Sequence, residues 1–279
     1  MKTLRVGGYI SNRKTPKPSK QDLPIQEKEE PSKMPIQEEK RSKIDLQFFW
    51  INLDHSKKRR ERMTEEFEKR GIKHQRIEAI NGLKEPLGKY LGFSEVRARP
   101  HKAEIATTLS HLKAIHAFAQ TGEPVGIIAE DDMIFEYEDH WPYTLDSLIH
   151  DAPTGWEVLQ LSLTLGSKTG WEWFKQENKR YFERQFFWYS ALTYAITHEH
   201  AMALLNQYTI PLDKPFTSQL TGNHRKMQSE WIVLGTSPNR YTVYPPAFTY
   251  PMNNTSYIHP QHLKKHEVAK RLCDKVYYN

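Results

Sequence analysis

The stretch Val125-Gly126-Ile127-Ile128-Ala129-Glu130-Asp131-Asp132 places three consecutive carboxylates directly after an apolar run of strand length. Adjacent acids repel one another, so an ordered protein tolerates them best beside a cation, at a helix N-terminus or in open water. A strand that ends in acids places them at a sheet edge, where open α/β sheets bind ligands. The stretch therefore predicts a ligand or cation site, with a solvated acidic turn as the alternative.

The spacing of these acids favours a divalent cation. Residues two apart on an extended chain point the same way, so Glu130 and Asp132 could share one ion. Hard cations such as Mg²⁺ and Mn²⁺ prefer carboxylate oxygen, and Mg²⁺ is usually held by one or two carboxylates together with substrate phosphates. We therefore predict Glu130 and Asp132 as metal ligands.

The segments nearest the N-terminal side of the domain predict a strand–helix–strand unit. Residues 48–53 form an almost continuous apolar run that is typical of a buried strand. Residues 57–70 are predicted to be helical, with Met63 and Phe67 on one face, and residues 72–80 return as a second strand. Such a unit is the building block of a parallel sheet.

Basic residues crowd the first turn of that predicted helix, which is the unfavourable end for cations: Lys57, Lys58, Arg59, Arg60 and Arg62. An anionic group nearby would relieve the repulsion. The cluster is either a solvated basic face or a contact to the base, ribose or phosphates of a nucleotide.

Later segments predict further elements of an α/β fold. Helices are expected over residues 103–120, 141–150, 197–208 and 261–274, and strands or core segments over residues 156–163, 188–196, 230–234 and 241–244. The first of these helices carries His111, which is either a buried hydrogen-bonded residue or a ligand contact. The aromatic segment 166–187 has no clean period and predicts a mobile lid, a platform for an acceptor sugar, or core packing.

Composition limits the classes of function. The chain has 279 residues and a net charge of +6, but residues 1–45 alone contain eleven Lys and Arg against seven Asp and Glu. That Pro-, Lys- and Glu-rich segment is predicted to be a disordered tail, and residues 46–279 to be the folded domain. Because the basicity belongs mostly to the tail, it is weak evidence for nucleic-acid binding.

The cysteine content and the absence of long apolar runs indicate a cellular compartment. A single cysteine, Cys273, excludes an intrachain disulfide, which fits a reducing compartment. The N-terminal residues lack the apolar core of a signal peptide, and no run approaches ~18 apolar residues. We therefore expect a cytoplasmic protein without a membrane span, for which peripheral membrane contact remains open.

Residues 51–63, Ile-Asn-Leu-Asp-His-Ser-Lys-Lys-Arg-Arg-Glu-Arg-Met, resemble the opening motif of glycosyltransferase family 25. That family includes bacterial lipooligosaccharide galactosyltransferases and procollagen galactosyltransferases. Further segments resemble later motifs of the family in the same order: Glu104-Ile105 with Leu109-Ser110-His111, Glu130-Asp131-Asp132, Ser190 to Thr197, Pro211-Leu212-Asp213 and Val243-Tyr244-Pro245-Pro246. Ala103, Ala106 and Thr107 stand where the family has Gly, Gly and Cys, which leaves donor and acceptor preference open.

The resemblance implies a GT-A-type fold, a Rossmann-like α/β domain with a mostly parallel central sheet. It implies a metal-dependent, inverting glycosyltransferase that moves a hexose, galactose or glucose, from a UDP-sugar to a hydroxyl of a glycan, a lipooligosaccharide or a protein. The implied cofactor is Mn²⁺ or Mg²⁺, held by Glu130 and Asp132. The expected donor-binding residues are Asn52, Arg59, Arg60, Glu104, His111 and Asp131.

An inverting transfer needs a carboxylate to remove the acceptor hydroxyl proton. We expect Asp213 in that role, with Glu230 as the second candidate, and His259 or His262 as a third metal ligand. Other classes also fit the residues. A catalytically inactive sugar-nucleotide-binding or scaffold protein suits the altered glycines, a nucleic-acid binder suits the basic tail, and a phosphotransferase or nuclease would also use clustered acids.

Overall fold

The computed structural model describes residues 45–91, 102–185, 188–220, 228–252 and 263–277. The predicted tail, apart from Asp45, lies outside these ranges. So do His259 and His262, the candidates for a third metal ligand.

Seven strands and six α-helices carry the described part of the chain. The strands are β1 (Gln47–Asn52), β2 (Lys73–Glu78), β3 (Val125–Glu130), β4 (Val158–Gln160), β5 (Tyr181–Glu183), β6 (Thr193–Thr197) and β7 (Arg240–Val243). The helices are α1 (Lys57–Lys69), α2 (Lys102–Ala119), α3 (Leu145–His150), α4 (Lys168–Glu177), α5 (His198–Gln207) and α6 (Leu263–Tyr277). Short 3₁₀ turns cover Leu87–Tyr90 and Glu138–His140, and a π-helical turn covers Glu230–Leu234.

The strands form one mixed sheet in the order β2-β1-β3-β6-β4-β7-β5. The pairs β1–β2, β1–β3 and β4–β7 are parallel, whereas β3–β6, β4–β6 and β5–β7 are antiparallel. The α/β class is confirmed, but the prediction of a mostly parallel sheet is wrong. The chain enters β6 at the edge where β3 and β4 end, so β6 has to run back between them in the opposite direction.

Side chains alternate between the two faces of the sheet, and each face is covered by its own helices. Phe49, Ile51 and Ile128 pack on the face that α2, α5 and the Glu230–Leu234 turn cover. Phe48, Trp50 and Ile127 pack on the opposite face, where α1 contributes Met63 and Phe67 to the core. The helices α1 and α2 therefore approach β1 from opposite sides.

The aromatic segment predicted over residues 166–187 is structured in its described part. It forms α4 and β5, and Trp171, Phe174 and Phe182 pack with Trp188 in a third core cluster that includes Cys273 and Val276 of α6. The core-packing alternative is thus confirmed for these residues. Phe186 and Phe187 lie outside the described ranges.

Two predicted strands are shorter than expected. The strand predicted over residues 156–163 contains only Val158–Gln160, and the strand predicted over residues 188–196 begins at Thr193. Residues 188–192 instead form an irregular loop in which Ser190 has a φ of 111°, a conformation that interrupts a β-ladder. Hydrophobic composition alone did not reveal this interruption.

Candidate active site

The site lies where the order of the strands reverses. β1 connects through α1 to β2 on one side, while β3 lies on its other side and follows α2. Open α/β sheets bind ligands outside the carboxyl ends of the strands at such a switch point. A cavity of about 510 Å³ lies at this edge, and its lining includes Leu53, Arg59, Asn81, Thr107, Ser110, Glu130, Asp131 and Asp132.

The central acid, Asp131, is held by protein groups from two elements. Its Oδ2 accepts a hydrogen bond from Asn52 Nδ2 at 2.6 Å, and its Oδ1 accepts one from Arg59 Nη1 at 2.7 Å. Asn52 is buried at the end of β1 and in turn accepts a hydrogen bond from Arg76 Nε at 2.9 Å. Sequence analysis placed Asn52, Arg59 and Asp131 in one site, and the structure brings them together.

Three of the basic residues near the start of α1, namely Arg59, Arg60 and Arg62, have polar partners within the protein. Arg62, which was not among the predicted site residues, donates from Nη2 to the backbone carbonyl of Asp131 at 2.6 Å. Burial lowers the pKa of Arg62, while the Asp132 and Asp131 carboxylates raise it. Arg60 turns away and pairs with Asp54 at 3.1 Å, so it does not line the cavity. The unfavourable charge crowding was the signal that could have identified Arg62.

Glu130 is held by a buried histidine rather than by an arginine. His111 Nε2 lies 3.1 Å from Glu130 Oε1, and His111 Nδ1 lies 3.2 Å from the Tyr194 hydroxyl. Burial raises the pKa of Tyr194 well above its usual value, so its hydroxyl keeps the proton and can donate to Nδ1. That assignment leaves the Nε2 proton to donate to Glu130. His111 is fully buried and does not line the cavity, so it lies behind Glu130.

Asp132 lies beyond the end of the strand. β3 ends at Glu130, and Asp131 and Asp132 form a turn, so the two-residue alternation that paired Glu130 with Asp132 does not continue to Asp132. Asp132 Oδ2 is 3.9 Å from Arg59 Nη1. The Glu130 and Asp132 side chains still line the same cavity and are 29% and 19% exposed.

The donor set around the cavity suits a hard cation in part. Within the described ranges, no group of three or more His, Cys, Asp or Glu residues is placed to hold a metal ion. Two carboxylates that face a cavity nevertheless match the way in which Mg²⁺ is usually bound, with substrate phosphates and water as the remaining ligands. Glu130 and Asp132 therefore fit a cation that arrives with a phosphorylated substrate.

Glu230 lies within electrostatic reach of Glu130. It is in the π-helical turn Glu230–Leu234, on the same face of the sheet as α2. Burial raises the pKa of Glu230 and the Glu130 carboxylate raises it further, while His111 and Arg184 act in the opposite direction. A carboxyl group with a raised pKa is better suited to accept a proton near neutral pH.

Neither Asp213 nor Glu104 lines the cavity. Asp213 lines a second cavity of about 520 Å³ together with Lys113, Lys214 and Phe216. The two cavities adjoin, because Glu78 lines the second and Ala79 the first, and Lys113 of α2 lines the second and Ser110 the first. Glu104, in the first turn of α2, accepts a hydrogen bond from Gln228 at 3.2 Å and does not line the first cavity.

A model of glycosyltransferase family 25, described as an LPS biosynthesis protein family, matches residues 45–215. The chain belongs to glycosyltransferase family 25. The match includes β1, α1, α2 and the three acids, so the resemblance seen in the sequence is confirmed and the chain is a glycosyltransferase. No curated protein matches the chain.

Two solved glycosyltransferase structures are distantly similar to this family 25 member. One is a glycosyltransferase involved in the glycosylation of the major capsid of PBCV-1, with 10% identity, a TM-score of 0.37 and coverage of 81% of this chain and 98% of that one. The other is the apo form of mouse xyloside xylosyltransferase 1, with 9% identity, a TM-score of 0.31 and coverage of 80% of each chain. Among the described helices, none is both long enough and apolar enough to cross a membrane.

Proposed function

We propose that this family 25 glycosyltransferase has a GT-A-type fold and is metal-dependent and inverting. It moves a hexose, galactose or glucose, from a UDP-sugar to a hydroxyl of a glycan or protein acceptor. One observation carries the proposal: Glu130, Asp131 and Asp132 line a single cavity with Arg59 at the switch point of the sheet. The cavity volume is within the range of about 300–1,000 Å³ that is usual for small-molecule sites.

Different residues of the site serve the two parts of the donor. Glu130 and Asp132 would hold Mn²⁺ or Mg²⁺, which when bound neutralises the charge that develops on the departing diphosphate. Arg59 lines the same cavity and offers a guanidinium to the phosphates, while its hydrogen bond to Asp131 fixes its position. Asn81 adds a polar side chain to the cavity wall for a hydroxyl of the ribose or the sugar.

Glu230 is the stronger candidate for the base. An inverting transfer needs a carboxylate that takes the acceptor proton as the hydroxyl oxygen attacks the anomeric carbon. Glu230 interacts electrostatically with Glu130 and has a raised pKa, whereas Asp213 lines the other cavity. Glu230 does not line the donor cavity either, but its electrostatic interaction with Glu130 favours it over Asp213, the first candidate from the sequence.

The first experiment measures UDP release from UDP-Gal, UDP-Glc, UDP-GlcNAc and UDP-GalNAc, with and without Mn²⁺. We expect release from a hexose donor that depends on the metal and falls by about 100-fold or more in Asp132→Asn. Glu61→Gln, which removes an exposed carboxylate on α1, is the matched control and should keep full activity. Turnover that survives both a chelator and Asp132→Asn would exclude the metal-dependent mechanism.

The second experiment separates the two candidate bases. Glu230→Gln should lower kcat by about 100-fold or more while it preserves Mn²⁺-dependent binding of UDP, because only proton removal is lost. Asp213→Asn should change kcat by less than about tenfold. The opposite ranking, with Asp213→Asn the more damaging substitution, would return the role of base to Asp213.

A further inference from the structure

We propose that Tyr189 and Trp173 form a binding surface for the acceptor sugar, beside the cavity that takes the donor. The proposal rests on the proposed function, since it assigns the acceptor side of the same transfer. Trp173 is in the aromatic segment and Tyr189 follows it, while Trp171, Phe174 and Phe182 of the segment pack in the third core cluster.

Both rings are accessible although they belong to a buried aromatic region. Tyr189 is 58% exposed and Trp173 is 43% exposed, and in the described ranges only two other large apolar side chains, Leu83 and Val268, are comparably exposed. The Trp173 ring centroid is 6.2 Å from that of Trp188, which directly precedes Tyr189. The exposed Trp173 ring therefore packs against the residue that directly precedes Tyr189.

Hydrogen bonds from the Gln160 side chain fix the backbone that carries Tyr189. Gln160, fully buried at the end of β4, directs its Nε2 at three consecutive carbonyls, those of Trp188 at 3.3 Å, Tyr189 at 3.0 Å and Ser190 at 2.8 Å. Its Oε1 accepts a hydrogen bond from Thr242 Oγ1 at 2.7 Å. The Tyr189 carbonyl also accepts a hydrogen bond from the Thr164 amide at 3.0 Å. An exposed side chain on such a fixed backbone loses little further backbone entropy when a ligand binds.

The loop also holds an unfavourable backbone conformation. Ser190 has a φ of 111°, in the region that residues with a Cβ rarely adopt. Its hydroxyl lies 2.9 Å from that of Ser162 and accepts a hydrogen bond from the Leu192 amide. Strained residues persist only where the surroundings over-determine them, and they cluster at ligand sites. Here the hydrogen bonds of Ser190 hold this strained conformation and so set the direction of the chain directly after Tyr189.

The loop that carries Tyr189 lies at the same edge of the sheet as the acids. The Glu130 amide donates to the carbonyl of Leu192 at 2.8 Å, so the loop that carries Tyr189 is bonded to the end of β3. β3 and β4 both run antiparallel to β6, and both therefore end at this edge. A molecule that stacks on Tyr189 would be close to the donor cavity and to Glu130.

The chemistry of the surface matches a sugar. A pyranose ring has an apolar face of C–H groups that packs on an aromatic ring, while its hydroxyls stay hydrated or hydrogen-bonded at the edge. Tyr and Trp combine a large apolar ring with a polar group and are therefore suited to surfaces that are part apolar and part wet. The occupant we assign is a glycan acceptor, with a peptide hydroxyl as the outcome that would contradict the assignment.

The test uses the full chain, with methyl β-D-galactopyranoside, methyl β-D-glucopyranoside and a serine- and hydroxylysine-containing peptide as probes. Binding is measured by saturation-transfer NMR, and donor hydrolysis by UDP release without acceptor. We expect at least one glycoside to bind, and Tyr189→Ala to weaken its binding and raise its KM by about tenfold. Acceptor-free UDP release and the donor KM should stay within about twofold of the unaltered protein.

Matched variants make the result specific. Tyr189→Phe keeps the ring and should bind the glycoside as the unaltered protein does, Trp173→Ala should also weaken binding, and Val268→Ser, which changes an exposed apolar residue on α6, should have no effect. Glycoside binding that is absent or insensitive to Tyr189→Ala, or use of the peptide alone, would overturn the proposal. Loss of UDP release with glycoside binding retained would instead contradict the proposed function and leave the surface standing as a sugar site.

Discussion

At the scale of single residues, three neighbouring carboxylates have three different surroundings. Glu130 lies against the buried His111, Asp131 against Asn52 and Arg59, and Asp132 in the turn after the strand. The central acid therefore differs from its neighbours, because both of its oxygens already accept hydrogen bonds from the protein. These hydrogen bonds hold Arg59 and the end of β1 in place.

We expect Asp131→Asn to lower the free energy of unfolding by about 1–3 kcal/mol. The amide has one acceptor oxygen where the carboxylate has two, so the Asn52 amide or the Arg59 guanidinium would lose its partner. Urea denaturation followed by circular dichroism measures the change, and Glu61→Gln on α1, the helix that carries Arg59, serves as the control. A loss smaller than about 0.5 kcal/mol, the usual range for surface substitutions, would show that the network is not structural.

At the scale of elements, the titratable side chain of His74 joins β1, α1 and β2 through aromatic contacts. Trp50 Nε1 of β1 donates to His74 Nδ1 of β2 at 3.2 Å, and the Phe67 ring of α1 stacks on His74 with centroids 4.8 Å apart. Burial lowers the pKa of His74 below its ordinary value of 6.5, and Glu68 opposes the shift. A protonated Nδ1 could not accept the Trp50 hydrogen bond.

This contact predicts a loss of stability in mild acid. As the pH falls through 6.5, His74 of the unfolded chain takes up a proton before His74 of the folded chain does. Protonation therefore stabilises the unfolded state relative to the folded state. The melting temperature should therefore fall more between about pH 8 and about pH 5.5 for the unaltered protein than for His74→Gln. His150→Gln, on the exposed side of α3, should behave as the unaltered protein. Equal falls in the unaltered protein and His74→Gln would contradict the assignment.

At the scale of the whole molecule, the site depends on residues beyond the family match. The match ends at residue 215, yet β7 pairs with β4, and the turn that carries Glu230 packs in the same core cluster as α2. Lys270 of α6, with a side chain only 1% exposed, pairs with Glu136 at 2.9 Å and Asp274 at 3.1 Å. The pair with Glu136 ties α6 to the segment that follows the acid turn, whereas the pair with Asp274 lies within α6. The described residues after 215 thus belong to the same compact unit as the site.

The sequence predicted the elements whose patterns are local. The helices α1 and α2 lie within a residue or so of their predicted ranges, because amphipathic spacing and terminal signals are written in neighbouring residues. The acid triplet, Asn52 and Arg59 were likewise recognised, since strand ends and family motifs mark them. The family and the glycosyltransferase activity also followed from the sequence.

Only the tertiary structure determined which strands lie side by side and which side chains contact one another. It determined that β6 runs antiparallel between β3 and β4 and that Arg62 rather than Arg60 turns to the acids. It also brought Glu230 within electrostatic reach of Glu130 and placed Asp213 at the second cavity. It also showed His111 behind Glu130 and Tyr189 exposed on a strained loop. Strand direction and long-range contacts depend on the energy of packing the whole chain, and neighbouring residues do not encode that energy.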